Sequence, residues 1–331
     1  MNIISKDFEL KFEITEQCNS NCSFCHQGYG KVNSKLKMTK ETFVYWLDWA
    51  EANMIKSIRL TGGEPTLLDE FIDFCRLAKN KGFYVTVNSN GLIKKSVLDE
   101  IALVIDEIKI SLPTFNNKEL EKITGNKNIV PRKMETISAL KKSNVKISIL
   151  TALLDSDLNY LSPFISFLTS NPEVIWSTLR LESTTYDHKP YNISKFSSLV
   201  ENYIELKKKH PDIINPIGLS TPFCAIGNKL LGSYIFLGRR KSCGPFSSLT
   251  VTPNGSLISC YSCRNTINNT KDLADVYKDK EVLKLTQAEH LPKECQICEF
   301  LYECMGGCRN EYGLVENSNY KIDYLAKINT K

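Results

Sequence analysis

No stretch of this sequence approaches the roughly 20 apolar residues that a membrane-spanning helix needs. The opening MNIISKDFEL is charged from Lys6 onward and has no apolar core of signal-peptide length. The protein is therefore expected to be cytoplasmic, where thiols stay reduced. An excess of one charge is also lacking. The formal net charge is +5, and the basic residues are spread along the chain. The densest run, Lys207-Lys208-Lys209, follows the helical spacing Leu199, Tyr203, Leu206 and reads as the solvated side of a helix. Neither nucleic acid nor a membrane is implied as a partner. No internal repeat or low-complexity tract stands out. What is plentiful is cysteine, 12 in 331 residues. In a reducing compartment, clustered cysteines read as metal ligands or catalytic groups rather than disulfides.

Up to about residue 182, β-rich runs at 8–15, 57–61, 83–87, 107–112, 145–150 and 174–182 alternate with apolar residues at helical spacing, such as Phe43, Trp46, Leu47, Ala50. Six β–α units in a row predict parallel strands with right-handed crossovers. Each strand has one polar phase. These are Lys11, Glu13, Thr15; Ser57, Arg59, Thr61; Thr86, Asn88; Glu107, Lys109, Ser111; Lys146, Ser148; and Thr178, Arg180, Glu182. Period two puts each set on one face. A parallel sheet covered on both faces would be apolar throughout, and a closed eight-stranded barrel would be filled with branched apolar residues.

The pattern thus predicts an α/β chain built on a partial (β/α)6 TIM barrel around a wet, substrate-sized cavity. The alternative is a sheet with one solvent-exposed face. Arg59, Lys109, Arg180 and Glu182 are inward candidates for substrate contact, and Arg180 and Glu182 are catalytic candidates; salt bridges Arg180–Glu182 or Glu107–Lys109 are the other reading. Tyr186, Asp187 and His188 follow strand six toward the mouth. From about Pro216 the chain turns rich in Cys, Gly and Asn, with short strands at 248–252 and 256–258 and a helix at 273–285. Two domains are expected: a barrel over 1–215, and a smaller unit over 216–331 held by metal rather than a large apolar core.

Cys75 falls in the apolar pattern Phe71, Phe74, Cys75, Ala78 and reads as a buried small hydrophobe. The other cysteines form motifs. Cys18-x3-Cys22-x2-Cys25 lies on the loop after strand one. Three thiolates can hold three irons of a [4Fe–4S] cube and leave the fourth open to a small molecule. A zinc site completed by a remote ligand such as His26 is the alternative. The motif resembles that of the radical S-adenosylmethionine superfamily, whose cluster reductively cleaves S-adenosylmethionine to a hydrogen-abstracting 5′-deoxyadenosyl radical.

The resemblance implies further S-adenosylmethionine contacts. Phe24 matches the aromatic near the adenine. Gly62-Gly63-Glu64-Pro65, ending strand two, matches the motif in which the glutamate binds the methionine amino group. Asn88-Ser89-Asn90-Gly91 is similar to a Thr-Asn-Gly turn after strand three. Ser111 matches a ribose contact on strand four, where Pro113 departs from the usual Asp.

The remaining eight cysteines form a second signature. Cys243-x11-Gly255-x4-Cys260 and Cys295-x2-Cys298-x5-Cys304-x3-Cys308 resemble the SPASM domain of peptide-modifying members of that superfamily, which holds one or two auxiliary [4Fe–4S] clusters. The resemblance groups Cys243, Cys260 and Cys308 in one set, and Cys295, Cys298 and Cys304 in another. No cysteine follows Cys308, which departs from the SPASM pattern. Cys224 and Cys263 are the spare ligands: Cys224 could complete the first set and Cys263 either one, or one of them is a thiol that returns hydrogen to a substrate radical. Structural zinc is the alternative for these motifs.

The resemblance implies maturation of a ribosomally made peptide by thioether formation, carbon–carbon crosslinking, oxidation or epimerisation. A reducing partner such as flavodoxin or ferredoxin would supply electrons. With strand one starting near Phe8, a leader peptide is expected to be held by the barrel or by a separate protein. The barrel also resembles the molybdenum-cofactor cyclases, through Ser57–Pro65 and Ile123-Thr124-Gly125, which implies a nucleotide or small-molecule substrate such as a sugar. A non-catalytic zinc scaffold is the reading from another class.

Overall fold

The computed structural model describes residues 7–28, 34–181, 193–289, 291–309 and 325–326. Six strands, β1 (Glu9–Thr15), β2 (Ser57–Gly62), β3 (Tyr84–Ser89), β4 (Glu107–Ser111), β5 (Lys146–Ala152) and β6 (Ile175–Leu179), pair side by side, all parallel. Seven helices of the barrel part are α1 (Lys40–Ala52), α2 (Phe71–Asn80), α3 (Lys95–Ile101), α4 (Asn117–Thr124), α5 (Ile129–Leu140), α6 (Ser162–Thr169) and α7 (Ile193–Lys209). The partial (β/α)6 barrel read from the sequence is the architecture found.

The outward phase of the strands makes the core. Phe12 of β1 packs on Phe43 of α1, ring centroids 4.8 Å apart, and Phe43 stacks on Phe74 of α2 at 4.3 Å. Such burial and ring packing hold the helices on one face. Thr39 caps α1 by accepting from Thr42 N. Cys75 is fully buried in this layer, as its apolar setting implied. Among the described residues no helix is long and apolar enough to cross a membrane.

Three sequence expectations change. The inward face is less wet than its polar residues suggested, because they satisfy one another. Arg59 reaches Glu9 at 2.7 Å, Lys11 lies 3.6 Å from Glu9, and Lys109 lies 3.6 Å from Glu107. Burial pushes Glu9 up, but the charges of Arg59, Lys11 and Lys109 together hold it below the usual carboxylate range. These contacts tie Arg59 and Lys109 to carboxylates at the starts of β1 and β4, while Lys11 also lines a cavity with Cys243, Cys260 and Cys308.

The phase of strand six is reversed. Trp176 stacks on Phe164 of α6 at 5.2 Å, and Thr178 meets the Tyr203 hydroxyl of α7, so burying the indole sends this polar set to the helix side. Arg180, almost fully buried, gives Nη2 to Ser220 O at 2.8 Å. Glu182, Tyr186, Asp187 and His188 lie outside the described residues.

The expected helix over 273–285 is two, Leu273–Val276 and Lys280–Thr286. Asp279 breaks it by capping the second, accepting from Glu281 N at 2.8 Å.

The cysteine-rich segment is joined to the barrel through the sheet. β7 (Ser248–Val251) pairs in parallel with β1, Glu9 opposite Ser248, and β8 (Leu257–Ile258) returns antiparallel to β7. The sheet order is β6-β5-β4-β3-β2-β1-β7-β8. An ion pair bolts this junction: Arg264 grips the fully buried Glu13 of β1 with two bonds of 2.9 Å. Arg264→Met is expected to cost about 2–3 kcal/mol by stripping a buried carboxylate of its guanidinium. Its thermal midpoint should fall, and the double variant Glu13→Gln/Arg264→Met should recover part of the loss.

Candidate functional site

β1 ends at Thr15, and the chain enters the cysteine loop under tight backbone control. Gly63 N donates to Thr15 O and Glu64 N to Gln17 O, both at 2.7 Å. The two glycines make this approach possible. A Cβ on Gly62 would lie 2.2 Å from Thr15 O, and one on Gly63 2.1 Å from Gln17 O. Gly63→Ala is therefore expected to push the cysteine loop out of place. Iron content after reconstitution should drop well below that of the unaltered chain.

On its far side the loop is held by α4 and the turn after β3. Asn21 N donates to Thr124 O at 2.7 Å, Ser23 N to Ile123 O at 2.8 Å, and Asn126 Nδ2 to Asn19 O at 2.8 Å. Asn90 donates Nδ2 to Asn19 Oδ1 at 2.6 Å and lies 3.9 Å from Cys18 Sγ. Asn90, expected as a cofactor contact, is thus a brace for the cysteine loop. Asn88 opens into the barrel with its Oδ1 buried and without a hydrogen-bond partner. Phe24 packs against the core, and Ser111 ends β4 half-buried.

The three thiols stand within each other's electrostatic field. Burial, reinforced by neighbouring negative groups, pushes Cys18 up to about 11 and Cys22 up to about 12. Such a shift at Cys18 and Cys22 favours the protonated thiol, and a bound metal would take the place of the proton.

Two buried charges face the loop from opposite sides. Glu64 is 0% exposed, and burial pushes its carboxyl up against the pull of its donors. Oε1 accepts from Thr66 Oγ1 at 2.6 Å, Thr66 N at 3.3 Å and Ser89 Oγ at 2.9 Å; Oε2 accepts from Asn90 N at 2.6 Å. These donors take up most of the carboxylate's lone-pair directions. The side chain expected to grip an amino group therefore first ties the end of β2 to the turn after β3.

Lys133 of α5, 2% exposed, comes from the other side and gives Nζ to Ser111 O at 2.5 Å. Burial pushes its ammonium down to about 8, opposed by the charges of Cys22, Glu64 and Cys18. Gly91, at φ +78°, makes room for its stem, since a Cβ there would lie 3.3 Å from Lys133 Cγ. The sequence reading missed Lys133, and it named Ser89 within its turn without giving it a role of its own. Lys133 sits inside a helical spacing where a lysine reads as solvent-facing. Its one cue is that it follows Ile129 by four residues, on the buried side of α5.

The eight later cysteines sort into two neighbourhoods. Cys243, Cys260 and Cys308 line one cavity of ≈ 250 Å³, with Lys11, Thr61 and Asn88 on its barrel wall. Cys263 joins them through a side-chain hydrogen bond with Cys260 that holds its thiol below the ordinary range. The other set is Cys295, Cys298 and Cys304, and Cys224 lies here: burial, and after it the field of Cys224, raises Cys295, and Phe223 beside Cys224 donates N–H to Cys304 Sγ at 3.4 Å. Of the places left open for Cys224, the structure puts it beside the second set. Its turn, Phe223–Ile226, packs against the other loop, with Phe223 and Phe300 edge to face at 5.8 Å.

These surroundings suit thiolate-bound iron. Arg239, 1% exposed, donates to Leu285 O and Gly307 O while its Nη2 has no hydrogen-bond partner. Arg309, also buried, feels Cys295 and Cys304 of one set and Cys243 of the other. Buried guanidiniums between thiol clusters are costly unless those sulfurs carry negative charge. Among the described residues, no three His, Cys, Asp or Glu side chains converge on one point as a single ion requires. Thiolates on a cluster each bind a different iron and stand further apart.

Residues 12–167 match the model of the radical SAM superfamily. A probable GTP 3',8-cyclase of Saccharolobus islandicus is 33% identical over 119 residues, 35% of this chain and 38% of the relative. One of Pyrococcus abyssi is 29% identical over 117 residues, with the same shares. The chain thus matches 38% of the length of these curated relatives.

Among solved structures, Streptococcus suis SuiB bound to S-adenosylmethionine superposes with a TM-score of 0.75 and 19% identity, covering 97% of this chain and 78% of that one. Native anSMEcpe with bound AdoMet gives 0.73 and 18%, covering 96% and 93%. SuiB has also been solved bound to its precursor peptide SuiA. At these identities the likeness is one of fold, and it runs through the cysteine-rich region.

Proposed function

We propose that this chain, whose residues 12–167 match the radical SAM superfamily model, is a radical SAM enzyme that modifies a ribosomally made peptide. The observation that carries the substrate class is the extent of the likeness. The similarity to cyclases covers 35% of the chain, whereas the fold shared with SuiB, whose precursor peptide is known, covers 97%.

Cys18, Cys22 and Cys25 would hold the [4Fe–4S] cluster. With S-adenosylmethionine bound, that cluster would supply the electron that cleaves the sulfonium into methionine and a hydrogen-abstracting 5′-deoxyadenosyl radical. The chain's own part is to hold a zwitterion. Glu64 puts negative charge, and Lys133 positive charge, in a buried pocket beside the loop, which suits the ammonium and carboxylate of a methionine end. Glu64 acts on the ammonium through its field from behind Thr66, Ser89 and Asn90, and Lys133 offers a direct cation. Ser111, whose carbonyl Lys133 fixes, would meet the ribose, and Phe24 the adenine. Arg180, buried on Ser220, is left a structural role.

The peptide reading is tested by incubating the reduced, reconstituted chain with S-adenosylmethionine and a short peptide encoded beside its gene. A peptide mass change accompanied by more 5′-deoxyadenosine supports it. The same increase with GTP and not with peptide would transfer the chain to the cyclase reading, which its 33% identical relatives favour.

A further inference from the structure

We infer that the groove between α3 and α5 docks a small acidic electron-carrier protein, which reduces the cluster proposed for Cys18, Cys22 and Cys25. The inference rests on that cluster reading and adds where the electron enters the chain.

The turn after β3 has two sides. On its inner side Asn90 Nδ2 lies 3.9 Å from Cys18 Sγ, and Leu92 O accepts from Asn19 Nδ2 at 3.4 Å. On its outer side Gly91, Leu92 and Ile93 line a cavity of ≈ 250 Å³, together with Leu98 of α3 and Ala139 of α5. A single turn of chain therefore separates this groove from the cysteine loop. Thr136 Oγ1 of α5 donates to Gly91 O at 3.0 Å, which fixes the turn from the helix side as well. Electrons cross protein only over short gaps, and this wall is thin and held in place.

Charge selects the partner. Lys95 and Arg132, both exposed, line the cavity, and Glu135 is its one lining carboxylate. Lys94 adjoins Lys95. Lys127 follows Asn126, whose Nδ2 holds Asn19 O at 2.8 Å, and both lysines are exposed. Glu100 of α3 is turned toward Arg76 of α2, at 3.5 Å. Four exposed cations thus accompany an apolar floor, and an apolar centre with a polar rim is how protein surfaces meet. The surface complementary to it is acidic.

Redox encounters need little buried area. Charge attraction speeds the encounter more than it prolongs the complex, which suits a carrier that leaves after giving one electron. The carrier, a reduced flavin or iron–sulfur protein, is oxidised by one electron and the cluster is reduced by one. No bond forms or breaks at this surface. A peptide to be modified has to reach the barrel cavity lined by Thr61 and Asn88, whereas this groove opens on the helix side of the turn.

The test compares 5′-deoxyadenosine formation by the full, anaerobically reconstituted chain under two reductants. One is purified flavodoxin kept reduced by its NADPH-dependent reductase, and the other is dithionite. In Lys95→Glu/Arg132→Glu the flavodoxin-driven rate should fall at least about tenfold at low salt, and its salt dependence should flatten. Ala139→Trp, which fills the groove without changing charge, should slow it too. Dithionite-driven rates should stay as in the unaltered chain, which reports that fold and cluster persist. Lys208→Glu, on α7, should keep both rates. Zero-length carbodiimide cross-linking, read by mass spectrometry, should join flavodoxin carboxylates to Lys94 or Lys95. Groove variants that match the unaltered rate with flavodoxin, an equal loss with dithionite, or cross-links confined to other lysines overturn the assignment alone. So does an Ala139→Trp chain that makes 5′-deoxyadenosine with dithionite yet no longer modifies peptide, since the groove would then hold the peptide. No 5′-deoxyadenosine from the unaltered chain with either reductant overturns the underlying reading with it.

Discussion

Cys22→Ala is expected to abolish 5′-deoxyadenosine formation, to below about a thousandth of the unaltered rate. Cys22 is one of three thiols on a loop clamped by Thr15 and Gln17 on one side and by Ile123, Thr124 and Asn126 on the other. Two remaining thiolates cannot hold a cube with one open iron, so the effect is on the existence of the site and not on its tuning. Cys295, Cys298 and Cys304 lie off this loop, and Cys295→Ala should keep a measurable fraction of the activity. The comparison is made by quantifying 5′-deoxyadenosine by chromatography under strong reductant, with iron counted in each variant. Equal loss in both variants would mean that the two cysteine regions do not act separately.

Lys133→Met should raise the dissociation constant for S-adenosylmethionine by roughly 10²-fold. The ammonium is buried, hydrogen-bonded to Ser111 O and faced by Glu64. Removing one partner of a desolvated charge contact costs about 2–5 kcal/mol, and each 1.4 kcal/mol is about tenfold in affinity. Methionine keeps the stem packed against Gly91, so the fold should survive, as the thermal midpoint would show. The [4Fe–4S] content should be unchanged, while the spectral response of the reduced cluster to S-adenosylmethionine shifts to higher concentration. An unaltered dissociation constant would reduce Lys133 to a counter-charge for Glu64.

Much of the barrel was legible because period two and period 3.6 are local signals. The six strands fall within a few residues of their expected ranges, and the apolar phases of β1 to β5 face the helices as read. Strand six failed because Trp176 shares a phase with Thr178 and Arg180, and one buried indole outweighs two polar groups that find partners in Tyr203 and Ser220. The pairing of β7 with β1 was not legible. It joins residues about 240 apart in sequence, and four-residue apolar runs do not announce their partner.

The site divides in the same way. The cysteine loop and the two glycines carry their chemistry in the residue type. Glu64 keeps its burial but spends most of its hydrogen-bonding capacity inside the protein. Lys133 was invisible because only the packing around Gly91 and Ser111 distinguishes it from a solvated helix lysine. The place of Cys224 was hidden as well, since spacing along the chain says nothing of a thiol arriving from a distant turn.

The most direct test of the central claim is one incubation. The chain is reconstituted anaerobically with iron and sulfide, reduced strongly, and given S-adenosylmethionine. Formation of 5′-deoxyadenosine, absent in Cys22→Ala, is the result expected. A chain that binds iron at Cys18, Cys22 and Cys25 yet yields none under those conditions would contradict it.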